Sequence, residues 1–292
     1  MSRDFRANVV TWADLNTTEL PPWADPAYHD WKILAEGDSW FTIGGIPTSN
    51  LLFSMRFSKS TLIVNCAQPG DTVKNLSQIA GNAGLRRALS VKNGEKWDLI
   101  LLSGGGNDLS DEAGEILINP GTRPAIKMNS PEAYCDQDCL NLLLIDIQDG
   151  YRRIVQLRDR PGAPSAGVPI VCHTYDYPTP NNSPARFFGI GLLGPWLFRA
   201  FNNDQIPQED WIALTDYLFE KLAEALLELS QPNGTKKLPN FHVVDTRNTL
   251  QRAELGITGE SNDWLNEIHA NGEGYAKIGN LICDKAETLI RN

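Results

Sequence analysis

Short apolar segments alternate along the chain with longer segments of helical periodicity, and this alternation constrains the fold more than any other feature. The helical segments repeat apolar residues every three or four positions, as in Leu214, Leu218 and Leu222. Such alternation is typical of a parallel sheet covered by helices on both faces. The sequence therefore predicts an α/β fold, a three-layer α/β/α sandwich around a central, mostly parallel five-stranded sheet. The predicted strands lie at residues 33–35, 62–64, 99–102, 170–172 and 242–244.

The length of 292 residues, 41% of them hydrophobic, is sufficient for one full core. We expect a single domain over residues 1–292, with an N-terminal extension at 1–30. Two segments interrupt the alternation, and we predict insertions at the rim of the sheet at about 110–138 and 176–207. The second insertion is rich in proline and aromatic residues. Its composition is compatible with three roles: the lining of an acyl pocket, a movable lid, or a small hydrophobic cluster beside the main core. The sequence leaves these alternatives open.

A formal net charge of −10 argues against a nucleic-acid partner or an anionic membrane surface. No segment approaches the roughly 20 apolar residues that span a bilayer. The N-terminal residues mix charges and lack the apolar run of a secretory signal. We therefore expect the chain in the cytoplasm, with the trimmed mature form of a secreted protein as the alternative.

The odd number of cysteines, five, favours free thiols in a reducing compartment. Cys66 and Cys172 lie in apolar, strand-like segments, where buried thiols are common. Cys135 and Cys139 are close enough in sequence for a disulfide or for half of a metal site. No second group of Cys or His lies near them, and structural zinc normally takes four ligands. We therefore expect no metal and no cofactor.

Three of the predicted strands lead into polar, glycine-containing segments. The ligand crevice of an open parallel sheet lies outside the carboxyl ends of its strands, so a site is expected here. Taken alone, Ser39 is better explained as a helix cap. The third segment alone is a turn or a phosphate-binding loop, although it lacks the Lys-Ser/Thr ending of a nucleotide loop. The segments are Glu-Gly-Asp-Ser-Trp-Phe at 36–41, Asn-Cys-Ala-Gln-Pro-Gly-Asp at 65–71 and Ser-Gly-Gly-Gly-Asn-Asp at 103–108.

Together with Asn-Glu-Ile-His at 266–269, these segments resemble the four signature blocks of the SGNH (GDSL-type) hydrolase family, in the same order. The blocks are Gly-Asp-Ser, a lone Gly, Gly-x-Asn-Asp and an acid-x-x-His segment, and the resemblance spans residues 33–290. It implies a flavodoxin-like sheet and a serine esterase that needs no cofactor and acts on small-molecule esters through an acyl-enzyme on Ser39. It also implies that the amides of Ser39 and Gly70 and the side chain of Asn107 hold the oxyanion formed in acyl transfer.

The chain has only four histidines from which to choose a general base. His269 immediately precedes the entry to the last predicted helix, which is the position that the resemblance assigns to the base. His173 is the rival because it follows a strand at the same rim; it lines the cleft, binds substrate or is an ordinary strand-end histidine. We group it with Trp40 and Trp196 as predicted substrate-pocket residues.

The sequence departs from the family pattern at Asn266, where the usual motif has an aspartate three residues before the histidine. An amide oxygen can accept a hydrogen bond from imidazole but cannot stabilise imidazolium with a full charge. Either Asn266 is a weak orienting group, or Asp263 or Glu267 replaces it, and Asp263 is preferred. Asn266 also favours a rival class of protein, a non-catalytic relative that binds lipid or carbohydrate. Within enzymes, the alternatives are a carbohydrate acetylesterase and a thioesterase.

Overall fold

The computed structural model describes residues 2–16, 19–42, 50–67, 82–92, 94–126, 130–187 and 190–290. The strands in this part of the chain are β1 (Phe5–Arg6), β2 (Asn8–Thr11), β3 (Trp31–Gly37), β4 (Arg56–Phe57), β5 (Thr61–Asn65), β6 (Leu99–Ser103), β7 (Ile170–His173), β8 (Ala185–Phe187), β9 (Ile190–Leu193) and β10 (Phe241–Val244). The α-helices are α1 (Leu51–Ser54), α2 (Ala83–Ala88), α3 (Gly106–Asp111), α4 (Ala113–Ile116), α5 (Gln137–Arg158), α6 (Leu197–Asn203), α7 (Trp211–Glu228) and α8 (Gly272–Ile290). Short 3-10 helices lie at Asp14–Asn16, Pro26–Tyr28, Pro131–Tyr134 and Gln208–Asp210.

Six of the described strands form one sheet in the order β10-β7-β6-β3-β5-β2, and every pairing in it is parallel. The chain passes from β3 to β5 on one side and then crosses to β6 on the other side of β3. The strand order therefore reverses between β3 and β6, the type of position at which open α/β sheets bind ligands. Ser39 follows β3 and Asn107 follows β6, so both lie at this reversal.

The predicted α/β sandwich is confirmed, and each of the five predicted strands lies inside an observed strand. The sheet nevertheless has a sixth strand, β2, which pairs in parallel with β5. This strand comes from the segment predicted only as an N-terminal extension. It was missed because Asn8–Thr11 is four residues long and lies at the sheet edge, where only one residue is fully buried and the apolar signal is weak.

Helices cover both faces of the sheet, since every residue of β5, β6 and β7 is buried. Neighbouring residues of β10 show the two sides. The ring of Phe241 packs edge to face against Tyr151 of α5, with ring centroids 5.5 Å apart. His242, the next residue, points the other way; burial and then the charge of Lys285 on α8 lower its pKa. The strands that precede Ser39 and Asn107, β3 and β6, are almost fully buried.

The two predicted insertions contain short elements rather than long coil. Residues 110–138 include α4, and residues 176–207 include the β8–β9 hairpin and α6. Within the described ranges, no helix is both long and apolar enough to cross a membrane. All cysteines carry free thiols, and Cys139 is the exposed one. No cluster of metal-ligating side chains occurs among the residues that the structure describes.

Candidate active site

The nucleophile candidate lies directly after β3, where the chain turns away from the sheet. A Cβ atom added to Gly37 would come within 2.8 Å of the Ser103 side chain and carbonyl oxygen, so this position requires glycine. The close approach lets the Asp38 amide donate to the Ser103 oxygen at 3.1 Å. As a result the turn is fixed against β6, and Ser39 is held at the sheet rim with its side chain partly exposed.

Ser39 and His269 meet although 230 positions separate them in the sequence. The imidazole Nε2 lies 2.7 Å from the Ser39 Oγ, the distance expected for proton transfer. The loop that carries His269 is attached to the turn after β3, because the Trp40 Nε1 donates to the Ile268 carbonyl at 3.1 Å. The structure therefore brings together a hydroxyl and a base in the arrangement used for nucleophilic catalysis.

Asn266 holds the other ring nitrogen of His269. Its Oδ1 accepts from the Ile268 amide at 3.2 Å, from the His269 amide at 3.0 Å and from His269 Nδ1 at 3.0 Å. The two backbone donors fix the oxygen, and not the NH₂ group, toward the ring. The ring proton must then lie on Nδ1, which leaves the Nε2 lone pair free to accept the Ser39 proton. Asn266 thus selects the tautomer that a general base needs.

Asp263, the residue preferred from the sequence as the orienting group, does not contact His269. Its carboxylate accepts from Lys277 Nζ at 2.7 and 2.5 Å and from the Gln251 amide at 2.6 Å. These contacts use the carboxylate to fix the start of α8 to a neighbouring loop. The expectation for Asp263 is therefore corrected in favour of Asn266, because the tight turn at 266–269 directs the nearer side chain to the ring.

Glu267 does not orient the ring either, although its side chain is only 2% exposed. Its carboxylate accepts from the backbone amides of Trp196 and Phe198, the latter at 2.7 Å. Burial raises the pKa of Glu267 to about 8, and the backbone donors oppose this shift. The indole of Trp196 in turn packs edge to face against the His269 ring, with centroids 6.2 Å apart. Glu267 therefore attaches the 176–207 insertion to the segment that carries the base.

A buried hydrogen-bond network lies beneath the turn that carries Ser39. The Asp38 carboxylate accepts from the Ser103 hydroxyl at 2.9 Å, from the Trp40 amide at 3.0 Å and from the Tyr175 hydroxyl. Burial raises the pKa of Asp38, and these donors lower it. Asp38 thus fixes the turn after β3 to the neighbouring strands. The sequence did not predict its partners Tyr175 and Ser103, although Ser103 ends β6 and Tyr175 follows β7.

The predicted pocket residues Trp40, His173 and Trp196 lie in different surroundings. His173 is 1% exposed and stacks beneath Trp40, with ring centroids 5.5 Å apart and planes at 22°. Its Nδ1 donates to the Thr174 carbonyl at 2.7 Å, and burial lowers its pKa. His173 is therefore a buried core residue behind Trp40 and not part of a pocket surface, which corrects the pocket assignment. Trp40 and Trp196 remain beside the reacting pair.

Two of the three predicted oxyanion donors lie in the described part of the chain. Asn107 is in the first turn of α3, after Gly105 at φ 106°, a left-handed conformation that favours glycine. Asn107 shares a small cavity with Trp40 and Ile268, the chain neighbours of Ser39 and His269, so it lies at the same edge of the sheet. Gly70 lies outside the described residues, and its predicted role stays a prediction.

A comparison with protein families finds a match over residues 45–282 to the model described as GDSL-like Lipase/Acylhydrolase. The chain belongs to this family. The match includes Asn107 and His269 but begins after Ser39. The Gly-Asp-Ser segment of this GDSL protein is therefore assigned on two other grounds: its resemblance to the family motif and the contact of Ser39 with His269. No curated protein sequence matches the chain significantly.

Several solved structures are similar to this GDSL protein at low sequence identity. One is a protein described as "a possible lipase" from Chitinophaga pinensis, with TM-score 0.46, 14% identity and coverage of 89% of this chain and 99% of that chain. A second is an extracellular lipase from Streptomyces rimosus, with TM-score 0.43, 14% identity and coverage of 88% and 99%. A third is a carbohydrate acetylesterase from Sinorhizobium meliloti, with TM-score 0.45, 13% identity and coverage of 89% and 100%.

The pH dependence of this GDSL protein is expected to extend far into the acid range. Burial lowers the pKa of His269 to about 4, whereas an unperturbed histidine has a pKa of about 6.5. A general base must be neutral to accept a proton, so with His269 in its predicted role kcat/KM falls as the pH drops through the pKa of His269 in the free enzyme. Initial rates with an activated ester from pH 3.5 to 8 should show the half-maximal value near pH 4.

Near-ultraviolet circular dichroism at each pH separates titration of His269 from acid unfolding. At pH 5.5 a base with a pKa of about 4 retains nine-tenths or more of its neutral form, and one with a pKa of about 6.5 retains roughly one-tenth. A tenfold loss of kcat/KM at pH 5.5 in folded protein contradicts this prediction.

Proposed function

We propose that this acylhydrolase is a serine esterase that hydrolyses carboxylic esters through a covalent acyl-enzyme on Ser39, with His269 as the general base. The observation that carries the proposal is the 2.7 Å contact between the Ser39 Oγ and His269 Nε2. A serine hydroxyl is a weak nucleophile at neutral pH and requires an adjacent base. The hydrogen bonds of Asn266, which hold that base in the competent tautomer, support the same proposal.

In the acylation step, the Ser39 Oγ forms a bond to the ester carbonyl carbon while its proton moves to His269 Nε2. The carbonyl electrons move onto oxygen, and donors at that point stabilise the resulting charge. Asn107, the Ser39 amide and Gly70 are the proposed donors. The bond between the carbonyl carbon and the alcohol oxygen then breaks, and the alcohol leaves with the proton from His269. The product of this step is an ester on Ser39.

In the deacylation step, His269 accepts a proton from water as the water oxygen attacks the acyl carbon. The tetrahedral intermediate collapses, the bond to the Ser39 Oγ breaks, and the Ser39 oxygen regains a proton from His269. A carboxylic acid leaves. The same two steps describe a thioesterase or a carbohydrate acetylesterase, which differ only in the leaving group.

The rival class, a non-catalytic lipid- or carbohydrate-binding relative, was favoured by the amide at Asn266. That argument loses force, because the Asn266 oxygen is held by two backbone donors and accepts from the ring. A binding protein has no need of a fixed imidazole tautomer against a serine hydroxyl. The missing charge lowers the driving force for proton transfer without removing the base.

A fluorophosphonate probe tests the proposed function directly, because only an activated serine reacts with it rapidly. We expect one probe per protein molecule, located on Ser39 by mass spectrometry of the digested protein. The Ser39→Ala variant should carry no probe, and the His269→Ala variant should react far more slowly. Absence of labelling in folded wild-type protein would refute the esterase proposal.

A further inference from the structure

The start of α6 is bonded to the loop that carries the proposed base. The carboxyl group of Glu267 accepts from the backbone amides of Trp196 and Phe198, the latter at 2.7 Å. The amide of Glu267 donates to the Ser183 carbonyl at 3.0 Å, which joins the same loop to a second point of the insertion. The first amides of a helix have no acceptor within the helix, and a carboxyl group placed there supplies one. Glu267 therefore fixes where α6 begins, two residues away from His269.

The indole of Trp196 covers the ring of His269. The two rings pack edge to face, with centroids 6.2 Å apart and planes at 68°. His269 is 7% exposed whereas Trp196 is partly exposed, so the indole is the outer of the two rings. The chain before α6 also lies against the indole, because a Cβ atom added to Gly194, at φ 73°, would collide with it. The indole is thus packed against both the imidazole and the backbone that precedes α6.

Three segments of the described chain pack against His269: the turn after β3, its own loop and the start of α6. The titratable or charged side chains on these segments are Asp38, Asp263, Glu267 and Arg199. Burial, and not one of these charges, lowers the pKa of His269. Burial also raises the pKa of Glu267 to about 8, so this group is neutral at the pH where His269 titrates. Water that reaches the imidazole must therefore raise the pKa of His269.

We propose that Glu267 and Trp196 are positioning residues for the base: Glu267 fixes the start of α6, and the Trp196 indole placed there excludes water from the imidazole of His269. Both residues act through His269, and neither gives or accepts the transferred proton. This inference rests on the proposed esterase function, in which His269 is the base. It assigns a role to one part of the 176–207 insertion, which covers the base.

The first test removes the indole. The measurement is kcat/KM for p-nitrophenyl acetate from pH 3.5 to 8, corrected for the rate with hydroxide. The midpoint of the acid limb lies near pH 4 in wild-type protein, and in Trp196→Ala it should rise by at least about one unit toward the ordinary histidine value of about 6.5. Trp196→Phe keeps a ring at this position and should shift the midpoint less.

Phe198→Ala is the matched control for Trp196→Ala. Phe198 belongs to the same turn, but its ring packs against Trp211, with centroids 5.5 Å apart. Its removal should leave the midpoint at the wild-type value even if it lowers the melting temperature.

The second test removes the acceptor for the amides of α6. Glu267→Ala should raise the midpoint by at least about one pH unit, because the start of α6 and its indole are released. Glu267→Gln keeps the size and one acceptor oxygen, but its NH₂ group cannot accept from the second amide, so the shift should be smaller. The double variant Glu267→Ala/Trp196→Ala should have the midpoint of Trp196→Ala, because Glu267 acts through the indole.

Asp136→Ala is the control for loss of a helix cap. Asp136 accepts from the backbone amides of Asp138 and Cys139 at 3.0 and 3.1 Å, at the start of α5. This variant should lose stability without any movement of the acid limb. A purely structural role of Glu267 predicts the same behaviour for Glu267→Ala, and that result would overturn the inference.

Near-ultraviolet circular dichroism defines the pH range in which each variant is folded. If the alanine variants unfold within the acid limb, Trp196→Phe and Glu267→Gln decide the question, and wild-type midpoints in both would overturn the inference. A wild-type midpoint already near 6.5, or a double variant shifted well beyond Trp196→Ala, would also overturn it. These results leave the esterase proposal intact, whereas wild-type protein that neither hydrolyses the ester nor reacts with the fluorophosphonate refutes the esterase proposal itself.

Discussion

Replacing Ser39 with alanine is expected to lower kcat/KM for an activated ester by at least about 10⁴-fold. The variant keeps the base and the oxyanion donors but has no atom that can form the acyl-enzyme. The loss should appear in kcat rather than KM, because the hydroxyl acts in the transition state more than in substrate binding. Initial-rate kinetics at neutral pH, with substrate above and below KM, measure both constants.

The Ser39→Ala experiment has a close control in Ser230→Ala, the same substitution in the turn just after α7. The described side-chain hydrogen bond of Ser230 is to the Leu227 carbonyl, and its loss should leave turnover unchanged. The described hydrogen bond of the Ser39 hydroxyl is the one with His269. We therefore expect alanine at position 39 to preserve the fold. Turnover by Ser39→Ala within tenfold of the wild-type rate would place the chemistry at another residue.

Replacing Asn266 with alanine is expected to lower kcat by about 10³-fold. Loss of the Asn266 oxygen allows the imidazole of His269 to rotate and to carry its proton on Nε2. A protonated Nε2 cannot accept the hydroxyl proton of Ser39. A wrong tautomer costs about 10⁴-fold in a serine protease whose orienting aspartate is replaced by asparagine. The present loss should be smaller, because no charge is removed. The variant also leaves the Ile268 and His269 amides without this acceptor, at about 1–3 kcal/mol each when buried.

The Asn266→Asp variant separates orientation from stability. It retains an acceptor for the same three donors and adds a negative charge beside His269. The charge favours imidazolium, so the pKa of His269 should rise from about 4 and the acid limb of kcat/KM should move to higher pH. We expect kcat at neutral pH at least equal to that of wild type, because the base becomes stronger. Equal losses of kcat in folded Asn266→Ala and Asn266→Asp would contradict the proposed role of Asn266.

The sheet and the order of the candidate site residues were predictable, because strand periodicity and short motifs are local signals. Each predicted strand lies within an observed one, and the segments containing Ser39 and Asn107 follow strands that are neighbours in the sheet. Parallel pairing then requires these segments to share one edge. The strand β2 escaped prediction since an edge strand of four residues carries little periodicity.

Side-chain directions within the last loop were not predictable from spacing. Residues 261–271 form successive tight turns, with Asn262 at φ 52°, so neighbouring side chains point to unrelated partners. Asp263 therefore faces Lys277, Asn266 faces the imidazole, and Glu267 faces the backbone of the insertion. The burial of His173 was equally unpredictable from the sequence, because it comes from stacking against Trp40, which lies far away in the sequence.

The buried side chain of Glu267 joins the loop that carries His269 to the 176–207 insertion. Glu267, two positions before His269, accepts hydrogen bonds from the backbone amides of Trp196 and Phe198. An insertion transplanted from another hydrolase would arrive without this acceptor unless residues 266–269 came with it. An experiment that exchanges this insertion between hydrolases should therefore also exchange the residues that bind it. Loop boundaries in the sequence alone do not identify those residues.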